Sequence, residues 1–461
     1  MTIWEPDITD RTGPRYEAIA DAIAEAITAD ELASGEKLPP QRDLAWRLGV
    51  TVGTISRAYR LAHDRGLVTG EVGRGTYVAP PGDLGDEVVP SPPENFVNLS
   101  RNYYPPSPRL GDAFSDALKT LAVRPGRERL LSYMPSAGHI DHRQAGVKWV
   151  RRVGLDADPD NVVLLGGTQQ GLTAALRALA KPGDTVLSEE LSYMGLEMAA
   201  TNAGLKMAGV EMDDEGMRPD SLRTMAIRTG ARIVFTVPTL HNPTAAIMST
   251  RRRQEIIAVA RDLELIIVED DVYGYLIEDR PPTIAALAPE RTIYLSGLSK
   301  SVASGLRVAW AVAPREICDK LTTAIFSLTV AQPGINPEIA KMWIDNGVAD
   351  DVIRWQRKEV GARHAIASEI FADLEFKAHP AAYHIFLHLP SPWRAQEFAE
   401  AARARGYGIV PADTFAVDRT PTPHAVRISL CDPRNHDTLR QALTVVRDLA
   451  TSGRQPQTHV I

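Results

Sequence analysis

The sequence predicts an α/β fold with a mostly parallel central sheet, preceded by a small helix-rich module. Short apolar runs, such as 162–165 and 232–237, alternate with helical stretches between residues 97 and 461. This alternation is typical of a parallel sheet with helices on both faces. Residues 79–96 hold five prolines and two glycines, which favour an extended linker rather than a packed element. We therefore predict domains at 1–79 and 97–461, joined by a linker at 80–96.

Composition excludes several classes of protein. The 461 residues are 44 % hydrophobic and carry 51 basic and 58 acidic side chains, a net charge of −7. This is ordinary globular composition, unlike that of a disordered chain, a collagen repeat or a disulfide scaffold. Cys318 and Cys431 lie far apart, as expected in a reducing compartment. No signal peptide or run of transmembrane length is evident, so we expect a cytoplasmic protein without a membrane partner.

The first module has the pattern of a winged helix-turn-helix. Tyr16, Ile19, Ile23 and Ile27 have helical spacing, and further helices are predicted over 41–48 and 52–65. A hairpin is predicted over 67–78, and in this motif the third helix enters the DNA major groove. Residues 42–74 carry six arginines against three acids, which favours a phosphate-bearing partner, although a solvated helix face would explain the charge alone.

Four segments in this module carry a family resemblance: GEKLP at 35–39, RDLA at 42–45, LGV at 48–50 and GRGT at 73–76. Over residues 12–79 the chain resembles the GntR family of DNA-binding domains, which implies double-stranded operator DNA as a partner. Pro40 and Val52 stand where the family usually has Ser and Arg. The resemblance and the charge together give these candidate DNA contacts: Arg42, Thr51, Thr54, Arg57 and Arg74. The alternative is a winged helix used only for dimerisation or packing.

The larger region contains a lysine in a setting suited to covalent chemistry. Lys300 follows an apolar strand in the segment SGLSK, among small residues, where an amine could form a Schiff base with a carbonyl cofactor. Arg307, seven residues later, could hold the phosphate of that cofactor. Most lysines are solvated surface residues, so this segment alone is only suggestive.

Other polar residues at predicted strand ends supply what pyridoxal phosphate requires. Asp270 ends a strand and could keep the pyridine nitrogen protonated, which makes the ring an electron sink. A helix N-terminus suits the phosphate. The remaining candidates are Tyr273 and Asn242 for the ring's 3-oxygen, Thr168 and Gln169 for the phosphate, Tyr193 for ring stacking and Arg427 for a substrate carboxylate. Each has an ordinary alternative as a turn, a cap or an ion pair, but their joint occurrence is difficult to explain in that way.

Residues 98–450 resemble the fold-type I aminotransferases. The resemblance rests on the residues above and on YMPSAG at 133–138, whose Tyr133 implies a contact to the phosphate of a neighbouring subunit. It implies that Lys300 carries the cofactor, with Asp270 and Tyr273 in the catalytic set. Gly297 stands where the family commonly has Ser or Thr, so one phosphate contact is expected to pass to Ser296 or Ser299.

A winged helix, a linker and an aminotransferase-like domain in this order resemble the MocR subfamily of GntR regulators. The resemblance implies a homodimer that binds pyridoxal 5′-phosphate. It also implies a transcriptional regulator that senses an amino compound through aldimine exchange at Lys300. The alternative is an active aminotransferase that transfers an amino group between an amino acid and a 2-oxo acid. A third reading, a structural module without cofactor, predicts a colourless protein.

Two further expectations concern residues outside these motifs. Arg251, Arg252 and Arg253 open an amphipathic helix and are expected on its solvated side. His384 and His388 lie in a predicted strand with apolar neighbours and are read as structural, so no metal site is expected.

Overall fold

The computed structural model describes residues 4–8, 13–29, 31–33, 35–64, 67–71, 75–78, 96–105, 107–418 and 421–452. The chain divides into two compact units, residues 1–94 and 95–461. The predicted linker up to residue 95 and the DNA-contact candidate Arg74 lie outside the described residues.

The first unit contains the three predicted helices and the hairpin. They are α1 (Arg15–Thr28), α2 (Gln41–Arg47), α3 (Val52–Asp64), β1 (Val68–Glu71) and β2 (Gly75–Val78). The two strands are antiparallel, with Val68 opposite Val78. Apolar residues one helical turn apart, such as Ile19 and Ile23 of α1, are fully buried against Ile55 of α3. This is the predicted winged helix-turn-helix.

The second unit is larger and has mixed α/β structure. Its helices are α4 (Leu110–Val123), α5 (Ile140–Arg151), α6 (Thr168–Leu179), α7 (Met194–Asn202), α8 (Pro219–Thr229), α9 (Thr250–Asp262), α10 (Ile284–Leu287), α11 (Arg315–Thr329), α12 (Ile335–Asp345), α13 (Val348–Ile370), α14 (Ala395–Ala404) and α15 (His436–Thr451). Its strands are β3 (Val97–Asn98), β4 (Val162–Leu165), β5 (Thr185–Glu189), β6 (Lys206–Val210), β7 (Met212–Asp213), β8 (Gly216–Met217), β9 (Ile233–Thr236), β10 (Ile266–Asp270), β11 (Thr292–Gly297), β12 (Ala309–Val312), β13 (Phe376–Lys377), β14 (His384–His388), β15 (Tyr407–Gly408), β16 (Val410–Pro411) and β17 (Ala425–Ser429).

The centre of this unit is a seven-stranded sheet in the order β4-β12-β11-β10-β9-β5-β6. Strand β12 is antiparallel to both of its neighbours, and the other six strands run in one direction. Alternate residues of each strand pack against helices on opposite faces: Phe235 of β9 joins the core with α6 and α11, whereas Val234 joins the core with α8 and α9. The predicted mostly parallel sheet is confirmed, and it brings the carboxyl ends of β5, β9, β10 and β11 to one edge.

A second sheet follows, with the antiparallel order β13-β14-β17-β16. Its apolar residues pack with α13, α14 and α15, through side chains such as Phe398 and Leu443. The register sets Arg427 of β17 opposite Phe386 of β14. No helix among the described residues combines the length and the apolar character needed to cross a membrane.

One expectation about α9 is wrong. Arg251 is exposed, but Arg253 is fully buried and Arg252 is nearly so. Arg253 donates to the carbonyls of Met248, Pro238 and Pro282, so its charge is satisfied inside the fold. Three consecutive helical residues span about 200° of the helix circumference, so they cannot share one face. Arg253 lies one turn before the buried Ile256 and Ile257 and takes the inner face.

Candidate functional site

A cavity of about 450 Å³ lies at the carboxyl edge of the central sheet. It is lined by ten residues that the sequence analysis singled out: Thr168, Gln169, Tyr193, Asn242, Asp270, Tyr273, Ser299, Lys300, Arg307 and Arg427. These residues come from six separate stretches of the chain. Because their joint placement needs the whole fold, the cavity is the candidate functional site.

Lys300 lies just after β11, with its side chain in the cavity. Its Nζ donates to the backbone carbonyl of Asn102 at 2.6 Å. Burial, aided by the charges of Arg427 and Arg307, lowers the pKa of Lys300 to about 8, while Asp270 opposes the shift. At pH 7 roughly a tenth of such amines are neutral, far more than for an ordinary lysine. Lys300 is therefore suited to act as a nucleophile.

Asp270 ends β10 and is buried in the cavity wall. Its Oδ1 has no hydrogen-bond partner among the described residues. Burial, and then the neighbouring charge of Asp271, raises the pKa of Asp270 to about 7, with Lys300 opposing. A buried carboxyl group without a partner calls for a cationic group beside it.

Strand alternation explains why Asp270, rather than its acidic neighbours, lines the cavity. Glu269 accepts from the backbone N–H groups of Ile284 and Ala285, at 3.0 and 2.8 Å, and so caps the start of α10. Asp271 pairs with Arg280 at 2.6 Å and accepts from the Tyr294 hydroxyl. Glu269 and Asp271 therefore have structural partners within the fold, and of the three acidic residues only Asp270 lines the cavity.

Arg427, on β17, is also buried in the cavity wall. Its Nη1 donates to Asn242 Oδ1 at 3.2 Å and its Nη2 donates to the carbonyl of Ser100, but Nε has no partner among the described residues. Burial lowers the pKa of Arg427 to about 10. A buried guanidinium with an unused donor is suited to bind a carboxylate.

An anion cradle lies at the start of α6. Gly167, with φ of +116°, precedes the helix, and Thr168 and Gln169 form its first turn. Arg307 Nη1 donates to Ser299 Oγ at 3.1 Å, which holds the guanidinium in the cavity wall. A Cβ on Gly167 would overlap Arg307 Nη2. The helix N-terminus, a guanidinium and hydroxyl groups together suit a phosphate.

The cradle gives a testable prediction. Gly167→Ala is expected to weaken binding of pyridoxal phosphate at least about tenfold, because the new methyl group displaces Arg307 and strains the left-handed backbone. Fluorescence titration of the apoprotein measures the dissociation constant. Gly230→Ala is the matched control, since Gly230 also has positive φ but no atom within 4 Å of an added Cβ. Equal affinities in the two variants would contradict the assignment of the cradle.

The structure places the residues of two other expected phosphate contacts. Ser296 is fully buried away from the cavity lining and contacts Tyr275 and Trp149, so only Ser299 can replace the missing phosphate contact. Tyr133 is 89 % exposed and does not line the cavity of its own chain. Its contact to a phosphate, if made, must be made to another subunit.

Sequence reasoning missed the segment that closes the cavity after the linker. Ser100, Arg101, Asn102 and Tyr103 all line it. Asn102 contacts both Lys300 and Tyr273, the latter at 2.8 Å. No motif marks this segment, and its position follows from its pairing with β15 next to the second sheet. One sequence signal could have indicated this segment: Asn102, Tyr103 and Tyr104 follow soon after the proline-rich linker.

Four of the five DNA-contact candidates lie on α2 or α3 of the first unit, or directly before α3. Arg42, Thr51 and Arg57 are exposed and Thr54 is partly exposed. Thr51 Oγ1 accepts from the backbone N–H of Thr54 at 3.1 Å, so Thr51 caps α3 as well as facing solvent. Arg74 is outside the described residues.

The cavity fits pyridoxal 5′-phosphate. Four buried polar atoms of lining residues have no partner among the described residues: Asp270 Oδ1, Arg427 Nε, Asn102 Oδ1 and Gln169 Oε1. A ligand with a protonated ring nitrogen, a phosphate and a carbonyl that condenses with an amine matches Asp270, the cradle and Lys300. Tyr193 is largely buried beside them and could stack on the ring. Among the described residues no three His, Cys, Asp or Glu side chains cluster as metal ligands.

Comparison with known proteins agrees with this geometry. Residues 94–443 match the family described as aminotransferase class I and II, and residues 15–78 match the bacterial regulatory proteins of the gntR family. The chain is 27 % identical over 447 residues to the HTH-type transcriptional regulator YdeF of Bacillus subtilis, covering 97 % of this chain and 96 % of that protein. It is 27 % identical to 2-aminoadipate transaminase of Thermus thermophilus, over 64 % of this chain and 75 % of that one.

Solved structures show the same fold. The α-aminoadipate aminotransferase LysN of Thermus thermophilus, complexed with N-(5′-phosphopyridoxyl)-L-leucine, superposes with a TM-score of 0.70 at 23 % identity, over 78 % of this chain and 93 % of that one. Pyridoxal 5′-phosphate is the cofactor of this domain family. The chain therefore belongs to the class I and II aminotransferase family and, with its N-terminal GntR-type DNA-binding domain, has the organisation of the MocR subfamily of GntR transcriptional regulators.

Proposed function

We propose that this regulator senses an amino compound by exchanging the compound's amino group for that of Lys300 on the cofactor. One observation carries the proposal: Asp270 Oδ1 and Arg427 Nε are both buried and unpartnered in the cavity that holds Lys300. A cationic group would satisfy Asp270 Oδ1, and an anionic group would satisfy Arg427 Nε. A cofactor with a protonated ring nitrogen and an effector with a carboxylate together meet both needs.

The chain's residues have distinct roles in this proposal. The bound cofactor supplies an aldehyde carbon that condenses with amines, and a ring that withdraws electrons. Asp270 holds the proton on the ring nitrogen, Tyr273 and Asn242 donate to the 3-oxygen, and Tyr193 stacks on the ring. The phosphate is held by Thr168, Gln169, Ser299 and Arg307, with Tyr133 contributed by the partner of a homodimer.

Arg427 selects the class of effector. Its buried guanidinium binds the carboxylate of the amino compound, which favours amino acids over simple amines. When the effector's amine replaces that of Lys300, the released Lys300 Nζ can return to the Asn102 carbonyl, its partner in the present structure. The Asn102 carbonyl thus accepts the amine that the exchange sets free.

The segment after the linker connects effector occupancy to the rest of the chain. Arg427 donates to the carbonyl of Ser100, Lys300 donates to that of Asn102, and the backbone N–H of Ser304 donates to the Tyr104 hydroxyl at 3.0 Å. An effector carboxylate on Arg427 competes with the Ser100 carbonyl, and a covalently engaged Lys300 leaves Asn102. Ligand states with different contacts to this segment shift its conformational equilibrium.

The winged helix supplies the output. Helix α3 is proposed to enter the major groove, with Arg42, Thr51, Thr54, Arg57 and Arg74 as contacts.

Arg57→Ala is expected to weaken binding to all DNA sequences about equally and to lower the salt slope by about one, because a phosphate contact releases one counterion. Fluorescence anisotropy at several salt concentrations measures this slope. Arg177→Ala, on the exposed surface of α6 in the other unit, is the control, and an unchanged slope would remove Arg57 from the interface.

Exposed apolar side chains support the homodimer. Leu131, two residues before Tyr133, is 83 % exposed, and Val123 at the end of α4 is 78 % exposed. Large apolar side chains left exposed favour an interaction surface. Burial of that surface in a second subunit would bring Tyr133 toward another chain.

The second candidate function is an active aminotransferase. The same lysine, aspartate and arginine suit transamination, and one relative is named 2-aminoadipate transaminase. Steady turnover between an amino acid and a 2-oxo acid, followed by coupled spectrophotometric assay, would establish it. No turnover across a broad panel of donors and acceptors would eliminate it.

The regulator proposal is tested by DNA binding of the cofactor-loaded protein in the presence of each of the twenty protein amino acids. Fluorescence anisotropy on DNA from upstream of its own gene gives the affinity. A change of about fivefold or more with at least one amino acid is expected, which is the usual lower size of an allosteric coupling. An affinity unaffected by every amino acid would reject amino-acid sensing.

A further inference from the structure

Asn102 contacts both Lys300 and Tyr273, two of the side chains that are proposed to contact the cofactor. It is 7 % exposed and lies in the segment that follows the linker. The side-chain Nδ2 of Asn102 is 2.8 Å from Tyr273 Oη and 3.2 Å from His384 Nδ1. Its backbone carbonyl accepts a hydrogen bond from Lys300 Nζ at 2.6 Å. Neither Asn102 nor its contact with His384 belongs to the set singled out from the sequence.

His384 fixes the orientation of the Asn102 amide. Burial lowers the pKa of His384 well below its usual value, so the ring is neutral and carries one N–H. Its Nε2 lies 3.2 Å from the carbonyl of His241, which can only accept a hydrogen bond, so the proton is on Nε2. Nδ1 is then an acceptor. The Asn102 group facing it must be the NH2 group, because a flipped amide would set oxygen against a nitrogen lone pair.

The same NH2 group donates to Tyr273 Oη. The phenolic proton of Tyr273 therefore cannot point at Asn102. Among the described residues, Tyr273 Oη has no other hydrogen-bond partner, and the ring lines the cavity. The charged groups that face Tyr273 there are Asp270 and Arg427. The phenolic proton is left to point into the cavity.

We infer that Asn102 is a positioning residue that directs the Tyr273 hydroxyl proton toward the bound cofactor's 3-oxygen, with His384 fixing the Asn102 amide. The inference rests on the proposed function for the identity of that oxygen. Hydrogen bonds in a chain polarise one another, so a phenol that accepts from Asn102 is a stronger donor. The Asn102 side chain thus tunes the charge on the ring through Tyr273, without a contact of its own to the 3-oxygen.

The readout is the pKa at which the visible absorption band of the cofactor-loaded protein changes with pH. In Asn102→Ala, Tyr273 becomes a weaker hydrogen-bond donor and leaves more negative charge on the 3-oxygen. The proton on Lys300 Nζ in the cofactor-loaded protein is then held more tightly. We expect this pKa to rise by about 0.7 unit, the equivalent of one ordinary hydrogen bond. Asn202→Ala, at an exposed position on α7, is the matched control and leaves the pKa unchanged.

A double-mutant cycle separates positioning from a general structural effect. In a Tyr273→Phe background there is no phenolic proton to direct, so Asn102→Ala is expected to cause no further shift. A shift of the same size in both backgrounds, or no shift in either, would overturn the inference, while the visible band would still show that the cofactor is bound to Lys300. Absence of a visible band in the wild type would overturn both.

Discussion

Lys300→Ala is expected to give a colourless protein whose DNA binding no longer responds to amino acids. The wild-type protein loaded with pyridoxal phosphate should show a visible absorption band, because its amine, with a pKa lowered to about 8, condenses with the cofactor's carbonyl. Alanine provides no amine and also empties the contact to the Asn102 carbonyl. The absorption spectrum and anisotropy titrations measure the two effects.

The matched control for this variant is Lys320→Ala, on the exposed surface of α11. It should retain the visible band and the response to amino acids. Basal DNA binding of Lys300→Ala without effector should persist, which would show that its winged helix is folded. A coloured Lys300→Ala protein, or one whose DNA affinity still changes with the effector, would contradict the role given to Lys300.

Arg427→Gln is expected to weaken binding of the effector amino acid by about 30- to 1000-fold. Removing the charged partner of a buried carboxylate costs about 2–4 kcal/mol, and glutamine cannot form the paired hydrogen bonds of a guanidinium. The amine that corresponds to the effector without its carboxylate should bind both proteins alike. Spectral titration of the cofactor-loaded proteins with both compounds gives the two affinities.

Arg403→Gln, at an exposed position on α14, serves as the control for the loss of one positive charge. Arg427→Lys should recover only part of the affinity, because an ammonium is a point charge without the planar fork. Equal losses for the amino acid and for the amine in Arg427→Gln would show a general disturbance of the cavity. That result would contradict the assignment of Arg427 as the residue that binds the carboxylate.

Much of the fold could be predicted because each element has a local signal. The apolar run at Val162–Leu165 is a strand with the predicted ends, and the helices of the first unit match within one or two residues. The arginines that open α9 show where local reasoning fails. The charge of Arg253 predicts a solvent-facing position, whereas its spacing to Ile256 and Ile257 places it inward. Two of the carbonyls that accept from it belong to Pro238 and Pro282, 15 and 29 residues away, and no pattern in the sequence displays that approach.

The candidate site was predictable where it follows strand ends. Asp270, Lys300 and Asn242 each come after an apolar run, and parallel strands bring such positions to one edge. Of the two alternatives for one phosphate contact, Ser296 lies inside β11 and faces Trp149 and Tyr275, whereas Ser299 lines the cavity. Asn102 could not be predicted from a strand end. It reaches the cavity through packing between segments some 170 to 280 residues apart, and no spacing in the sequence encodes that approach.

The central claim is that this protein is a regulator that recognises particular DNA. The most direct measurement is fluorescence anisotropy of the cofactor-loaded protein with DNA from upstream of its own gene and with unrelated DNA, at two salt concentrations. We predict binding to the upstream DNA at least about 1000-fold tighter than to unrelated DNA, with a preference that survives the higher salt. Equal, weak and salt-sensitive binding to both DNAs would contradict the claim and favour the aminotransferase.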